Sequence, residues 1–193
     1  MPKAVILHGT NGSPAELQWT NWIKKQLEQV GYGVWFPQLP DCDKPNLKTY
    51  DAFFKNSGWN FEDNLIIGHS SGATALLHLL QQAWFPRSKA AVFVGTFLNE
   101  RLLKNASWYV RGQFDALFAE TFEIENIKSG AKAFYFVHGD DDPYCDFNEA
   151  KVLCKKLGGT FISIPNAGHL GKSSTVTALP ELIKKLREDN ILI

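Results

Sequence analysis

The segment Gly68-His69-Ser70-Ser71-Gly72 carries the clearest chemical pattern in the chain. It reads Gly-x-Ser-x-Gly, with the apolar run Leu65-Ile66-Ile67 before it and Ala73, Ala75, Leu76, Leu77, Leu79 and Leu80 after it. A strand that turns abruptly into a helix at a central serine holds that serine in a strained conformation and lifts its hydroxyl above the sheet. Side chains two positions away would crowd such a turn, and Gly68 and Gly72 remove them. The hydroxyl then meets the N-terminus of a helix, whose dipole favours developing negative charge. The pattern alone occurs by chance; between a strand and a helix it marks Ser70 as a nucleophile. Ser71 is off the apex, and its useful group is its backbone N–H.

A serine hydroxyl needs a general base, and the base needs a carboxylate to orient it. Sites built on this turn run in the chain order serine, acid, histidine, with the later members on loops that follow later strands. Two segments fit. Phe134-Tyr135-Phe136-Val137 opens into His138-Gly139-Asp140-Asp141-Asp142-Pro143, and Phe161-Ile162-Ser163-Ile164 opens into Pro165-Asn166-Ala167-Gly168-His169. His169 is the candidate base, and the acid is one of three consecutive aspartates. Pro143 disfavours helical backbone at Asp142 and holds it extended, which suits a carboxylate with one task. Asp140 and Asp141, after a glycine, suit turn residues that bond their own backbone.

Stabilising an oxyanion takes two backbone donors. The N–H of Ser71 supplies one. The loop His8-Gly9-Thr10-Asn11-Gly12 after the first apolar run would supply the other, with Thr10 first choice and Asn11 second. His8, Asn11 and His69 are expected to wall the site and contact substrate. No metal or other cofactor is expected. His8, His69 and His138 fall at strand ends near the aspartates, but His8 and His69 belong to neighbouring strands and His138 to a more distant one. Gly171-Lys172-Ser173 resembles the end of a phosphate-binding loop, yet Asn166 stands where that loop needs glycine. Cys145 lies near the acid, with no turn to present it as a nucleophile.

The elements that must carry these groups alternate. Strands are expected at Ala4–His8, Gly33–Phe36, Leu65–Ile67, Ala91–Val94, Ala133–Val137 and Phe161–Ile164. A helix begins after Ser13, as N-cap, with Pro14 in its first position, buries Leu17, Trp22, Ile23, Leu27 and Val30, and stops at Gly31. Further helices cover Leu47–Lys55, Ala73–Gln82, Asn148–Leu157 and Val176–Arg187. Helices between successive strands imply right-handed crossovers and a six-stranded parallel, doubly wound sheet covered on both faces, a three-layer α/β/α arrangement. Residues 1–193 read as a single domain. The stretch 97–130, with Trp108, Tyr109, Phe114, Phe118 and Phe122, is too long for a simple connection and reads as a small cap-like insertion, a core-packing excursion, or both.

Composition agrees with an enzyme-sized globular domain: 193 residues, 45% hydrophobic and 21% charged. Twenty basic residues balance twenty acidic ones, so no surplus draws nucleic acid or an anionic membrane surface. The apolar run Ala4-Val5-Ile6-Leu7 is too short for a signal peptide, and no stretch approaches the roughly 20 residues of a membrane span. The three cysteines, Cys42, Cys145 and Cys154, fit a reducing compartment, and the cytoplasm is the expected location.

These features together resemble the retinoblastoma-binding protein 9 family of small serine hydrolases, which includes the bacterial YdeN-like proteins. The resemblance rests on Ala4-Val5-Ile6-Leu7 before a Gly/Asn turn, Trp19, Trp22 and Lys24-Lys25, Gly-His-Ser-Ser-Gly, Asp-Asp-Pro and Gly-His. It implies a minimal six-stranded α/β-hydrolase core and the triad Ser70, Asp142 and His169, since the family's acid directly precedes the proline. The Leu-x-Cys-x-Glu segment tied to retinoblastoma-protein binding is absent, so no such partner is carried over. The leading expectation is hydrolysis of small carboxylic esters or amides through an acyl-enzyme. The alternative is a protein-binding module that keeps the hydrolase shell without turnover.

Overall fold

The computed structural model describes residues 1–14 and 16–192. Among these residues six strands form one parallel sheet: β1 (Lys3–Leu7), β2 (Gly33–Trp35), β3 (Leu65–His69), β4 (Ala90–Val94), β5 (Phe134–Gly139) and β6 (Thr160–Ile164). Their order across the sheet is β2-β1-β3-β4-β5-β6, so the chain reverses its winding direction between β1 and β3. That switch point is where open α/β sheets place ligands, just beyond the carboxyl ends of the strands. Residues of β1, β3 and β4 are buried on both faces, which is why they read as continuous apolar runs.

Among the described residues, six helices cover the sheet: α1 (Gln18–Gln29), α2 (Leu47–Lys55), α3 (Ser71–Leu80), α4 (Ile124–Ser129), α5 (Phe147–Leu157) and α6 (Pro180–Glu188). Ile23 and Leu27 of α1, with Leu182, Ile183 and Leu186 of α6, fill one face against Ile6, Ile67 and Val92. Tyr50 and Phe54 of α2, Leu76 and Leu80 of α3, and Leu153 of α5 fill the other, against Val5, Ile66, Phe93 and Phe136. The three-layer α/β/α architecture expected from the sequence is the one found. No helix among the described residues is long and apolar enough to cross a membrane.

Two expectations need correction. The first helix starts at Gln18, not beside Ser13. Ser13 and Glu16 close a turn instead, with the Glu16 N–H on the Ser13 carbonyl and the Ser13 N–H on the Glu16 carboxylate. Of its expected core face, Ile23 and Leu27 are buried, whereas Leu17, Trp22 and Val30 are only partly so; Trp19 is buried as well, its indole N–H donating to the Leu170 carbonyl. The last helix likewise starts at Pro180, where the proline's fixed φ suits a first helical position. In the stretch 97–130, Phe97, Leu103, Phe114, Leu117 and Ile127 are buried in the core, a 3₁₀ turn spans Leu103–Asn105, and Trp108 reaches the sheet's carboxyl edge.

Candidate active site

Ser70 links β3 to α3 with φ 56° and ψ −126°, a conformation non-glycine residues rarely adopt. Its N–H donates to the Val94 carbonyl of β4 at 2.9 Å, and its carbonyl receives the N–H groups of Ala73 and Thr74. The flanking glycines are required by space: a Cβ on Gly68 would lie 2.6 Å from the Ala73 Cα, and one on Gly72 would lie 2.5 Å from the His8 carbonyl oxygen. The strain at Ser70 is therefore held by a bonded strand edge on one side and a close-packed helix start on the other.

The imidazole of His169 lies over this turn. Its Nε2 is 2.9 Å from Ser70 Oγ, and its Nδ1 is 2.9 Å from Asp142 Oδ2. The second oxygen, Oδ1, accepts the backbone N–H groups of Tyr144 and Cys145 at 2.9 and 3.1 Å. The Asp142 side chain is fully buried, which by itself raises its pKa; the contact with His169 and the two backbone donors outweigh this and hold it below the usual value. A carboxylate so fixed keeps Nδ1 protonated and leaves Nε2 free to accept from Ser70.

Asp140 and Asp141 do something the sequence did not suggest. Neither bonds only within its own turn: Asp140 accepts from the N–H of Asn166 at 2.8 Å, and Asp141 from that of Gly168 at 2.7 Å. Both carboxylates tether the loop that carries His169.

His8 and His69 line the cleft beside this triad, and His8 has both ring nitrogens committed. His8 donates through Nδ1 to the Gly9 carbonyl and accepts the Leu39 N–H at Nε2, so it can offer a substrate only its carbon edge. His69 donates through Nε2 to the His169 carbonyl and packs edge-on to Trp19; its pKa is pushed down to about 3, first by burial and then by the neighbouring His169. His138 is wholly buried, stacks on Phe161, and has its pKa lowered to about 4, again mainly by burial. His8 and His69 stand on adjacent strand ends and His138 apart from them, as expected.

Thr10 and Ser71 come together through their side chains, with Thr10 Oγ1 donating to Ser71 Oγ at 2.8 Å. Ser71 is the first residue of α3, so its N–H has no acceptor within the helix. The N–H of Asn11, the second choice for an oxyanion donor, is spent on the Cys42 carbonyl.

A cleft of about 370 Å³ opens beside Ser70, between the loop from His8 to Leu17 and the loop from His169 to Ser173. His8, Asn11 and His69 all line it. So do Trp108, from the stretch read as a possible cap, and three side chains that sequence reasoning missed, Tyr144, Glu16 and Lys172. Tyr144 stands edge-on to His169, with ring centroids 5.1 Å apart, and Trp108 from the long insertion packs on Tyr144. Lys172 and Glu16 pair across the two loops. Tyr144 could have been suspected from its place two residues after the acid; nothing in the sequence pairs Glu16 with Lys172.

Asp142, Cys145 and His169 bring one donor atom each within 4.8 Å of one another, the geometry of a candidate metal group. The donors suit one another better than an ion. Asp142 already accepts three N–H groups, and burial raises the Cys145 pKa well above the usual thiol value, which keeps it a thiol donating to the Gly95 carbonyl.

A profile of the serine hydrolase family matches residues 4–188. The chain belongs to the serine hydrolase family. It is a hydrolase by that membership, and the comparisons with individual proteins run along its whole length. It is 25% identical to the rat (Rattus norvegicus) serine hydrolase RBBP9 over 189 residues, 96% of this chain and 94% of the relative. The fold is shared with the ydeN gene product of B. subtilis at a TM-score of 0.84 and 20% identity, covering 97% and 98% of the two chains. It is also shared with Est1E of Butyrivibrio proteoclasticus, solved with ferulic acid bound, at a TM-score of 0.72 and 15% identity over 100% and 88%. The serine hydrolase keeps the α/β-hydrolase core of these neighbours, and the family resemblance noted in its sequence holds.

Proposed function

We propose that this serine hydrolase cleaves small carboxylic esters or amides through an acyl-enzyme on Ser70. The observation that carries the reading is the unbroken hydrogen-bonded line Ser70–His169–Asp142, each link 2.9 Å, opening on a cleft. Ser70 Oγ attacks the substrate carbonyl carbon while its proton passes to His169 Nε2, and the carbonyl π electrons move onto oxygen. The N–H groups of Thr10 and Ser71 receive that oxyanion. Its collapse breaks the bond to the alcohol or amine, which leaves with the proton held on His169. Water, deprotonated by the same nitrogen, then attacks the Ser70 ester and releases the acid. Asp142 stays ionised throughout and holds the imidazole in one tautomer.

The cleft has room for a small substrate, with Trp108 and Tyr144 forming an aromatic wall near the nucleophile. Its charged groups, Glu16 and Lys172, are paired with each other, so neither sign of substrate is favoured. The test is pre-steady-state hydrolysis of a p-nitrophenyl ester. An acyl-enzyme predicts a burst of p-nitrophenol approaching one equivalent per active site whenever deacylation is the slower step. Absence of turnover on a panel of esters and amides would favour a binding module on a hydrolase scaffold.

A further inference from the structure

We propose that the hydrogen bond between the hydroxyls of Thr10 and Ser71 is a positioning device of the oxyanion site, fixing the spacing of its two backbone donors. The inference rests on the reading of Ser70 as nucleophile and of the Thr10 and Ser71 N–H groups as those donors.

The two donors belong to segments far apart in sequence. Ser71 is held by α3, and its N–H direction follows from the helix. Thr10 sits in a loop, and the anchors of that loop act on its neighbours. His8 is pinned by the Leu39 N–H, Gly12 by the Gly9 carbonyl, and Asn11 by the Cys42 carbonyl. Steric contact also brings the loop against the nucleophile turn, because a Cβ on Gly9 would lie 2.7 Å from the Ser70 Cβ. Contact of that kind sets a closest approach and no direction. A hydrogen bond sets both, and the 2.8 Å bond from Thr10 Oγ1 to Ser71 Oγ ties Thr10 itself to the start of α3.

Burial makes the bond durable. Ser71 is 1% exposed, and a buried hydroxyl left without a partner is costly. An oxyanion donor acts over a narrow range, about 2.7–3.1 Å from the developing charge, so a loosened Thr10 loses stabilisation before it loses its place in the fold. Deleting a donor outright costs on the order of 10²–10³ in kcat. Loosening one by a single hydrogen bond is expected to cost about tenfold.

The experiment compares the wild type with Thr10→Val, Ser71→Ala, the double variant and Thr10→Ser, on a matched ester and thionoester. Sulfur in place of the carbonyl oxygen is a poor acceptor for the two donors, so the ester-to-thionoester ratio of kcat/KM reports the oxyanion site alone. The wild type should prefer the ester strongly. Thr10→Val and Ser71→Ala should each lower kcat on the ester about tenfold with KM little changed, and shrink that ratio. The double variant should be no worse than either single one, because one bond is lost in all three. Thr10→Ser should restore both readouts. A wild type without preference for the ester would overturn the oxyanion reading itself. A wild type with the preference, and single variants that keep it or whose losses multiply in the double variant, would overturn the positioning bond while leaving that reading intact.

Discussion

The Asp141 carboxylate accepts a 2.7 Å hydrogen bond from the N–H of Gly168, the residue immediately before His169. Asp140 holds Asn166 in the same loop, and Asp142 alone reaches the imidazole. The run of three aspartates therefore has two tasks, two members shaping the loop and one orienting the ring.

This division gives unequal mutational effects. Asp142→Asn should leave the fold intact and lower kcat on the order of 10⁴, because the amide favours the wrong imidazole tautomer. Asp141→Asn and Asp140→Asn keep an acceptor oxygen on exposed bonds, and each should cost less than about tenfold in kcat and about 1 kcal/mol or less in stability. Steady-state kinetics and thermal melts of the three variants check this. A large loss at Asp141 with Asp142→Asn active would move the acid one residue back.

Acid should unfold the protein through its buried histidines. Burial lowers the pKa of His8, takes His78 and His138 down to about 4, and takes His69 to about 3. Each titrates at about 6.5 when unfolded. Below pH 6.5 the unfolded chain thus binds protons that the folded chain refuses, so stability present above pH 6.5 falls continuously toward pH 4. The depressed Asp142 pKa adds a further loss below about pH 4, as its carboxylate is protonated. Unfolding free energies from denaturant titrations at pH 7.5 and pH 4 should differ by an amount on the order of several kcal/mol, lower in acid. A flat profile would contradict the neutral, buried state of these rings.

Chelation should leave turnover unchanged. Asp142, Cys145 and His169 could reach a common ion only by breaking the bonds that orient His169 and deprotonating a buried thiol. Assay after exhaustive dialysis against EDTA checks this. Activity lost on dialysis and restored specifically by one divalent metal would revive a metal role.

Much of this architecture was legible in the chain. Each strand is a short apolar run ended by glycine, proline or a polar turn, and Ser70, Asp142 and His169 each follow such a run. Local signals misled at Ser13-Pro14, because a turn closed by Glu16 competes there with helix initiation. Contacts between distant segments were not legible. The Thr10–Ser71 hydroxyl pair joins residues 61 apart, and Trp108 on Tyr144 depends on how the insertion folds back. Such pairs leave no periodicity behind them.

The central claim is that Ser70 is the nucleophile, and covalent labelling by a fluorophosphonate probe tests it most directly. The wild type should take up one probe per chain, located by mass spectrometry on Ser70. Ser70→Ala should abolish labelling, while Ser71→Ala should still label, more slowly. Labelling that persists in Ser70→Ala, or a probe found on another residue of the wild type, would contradict the assignment.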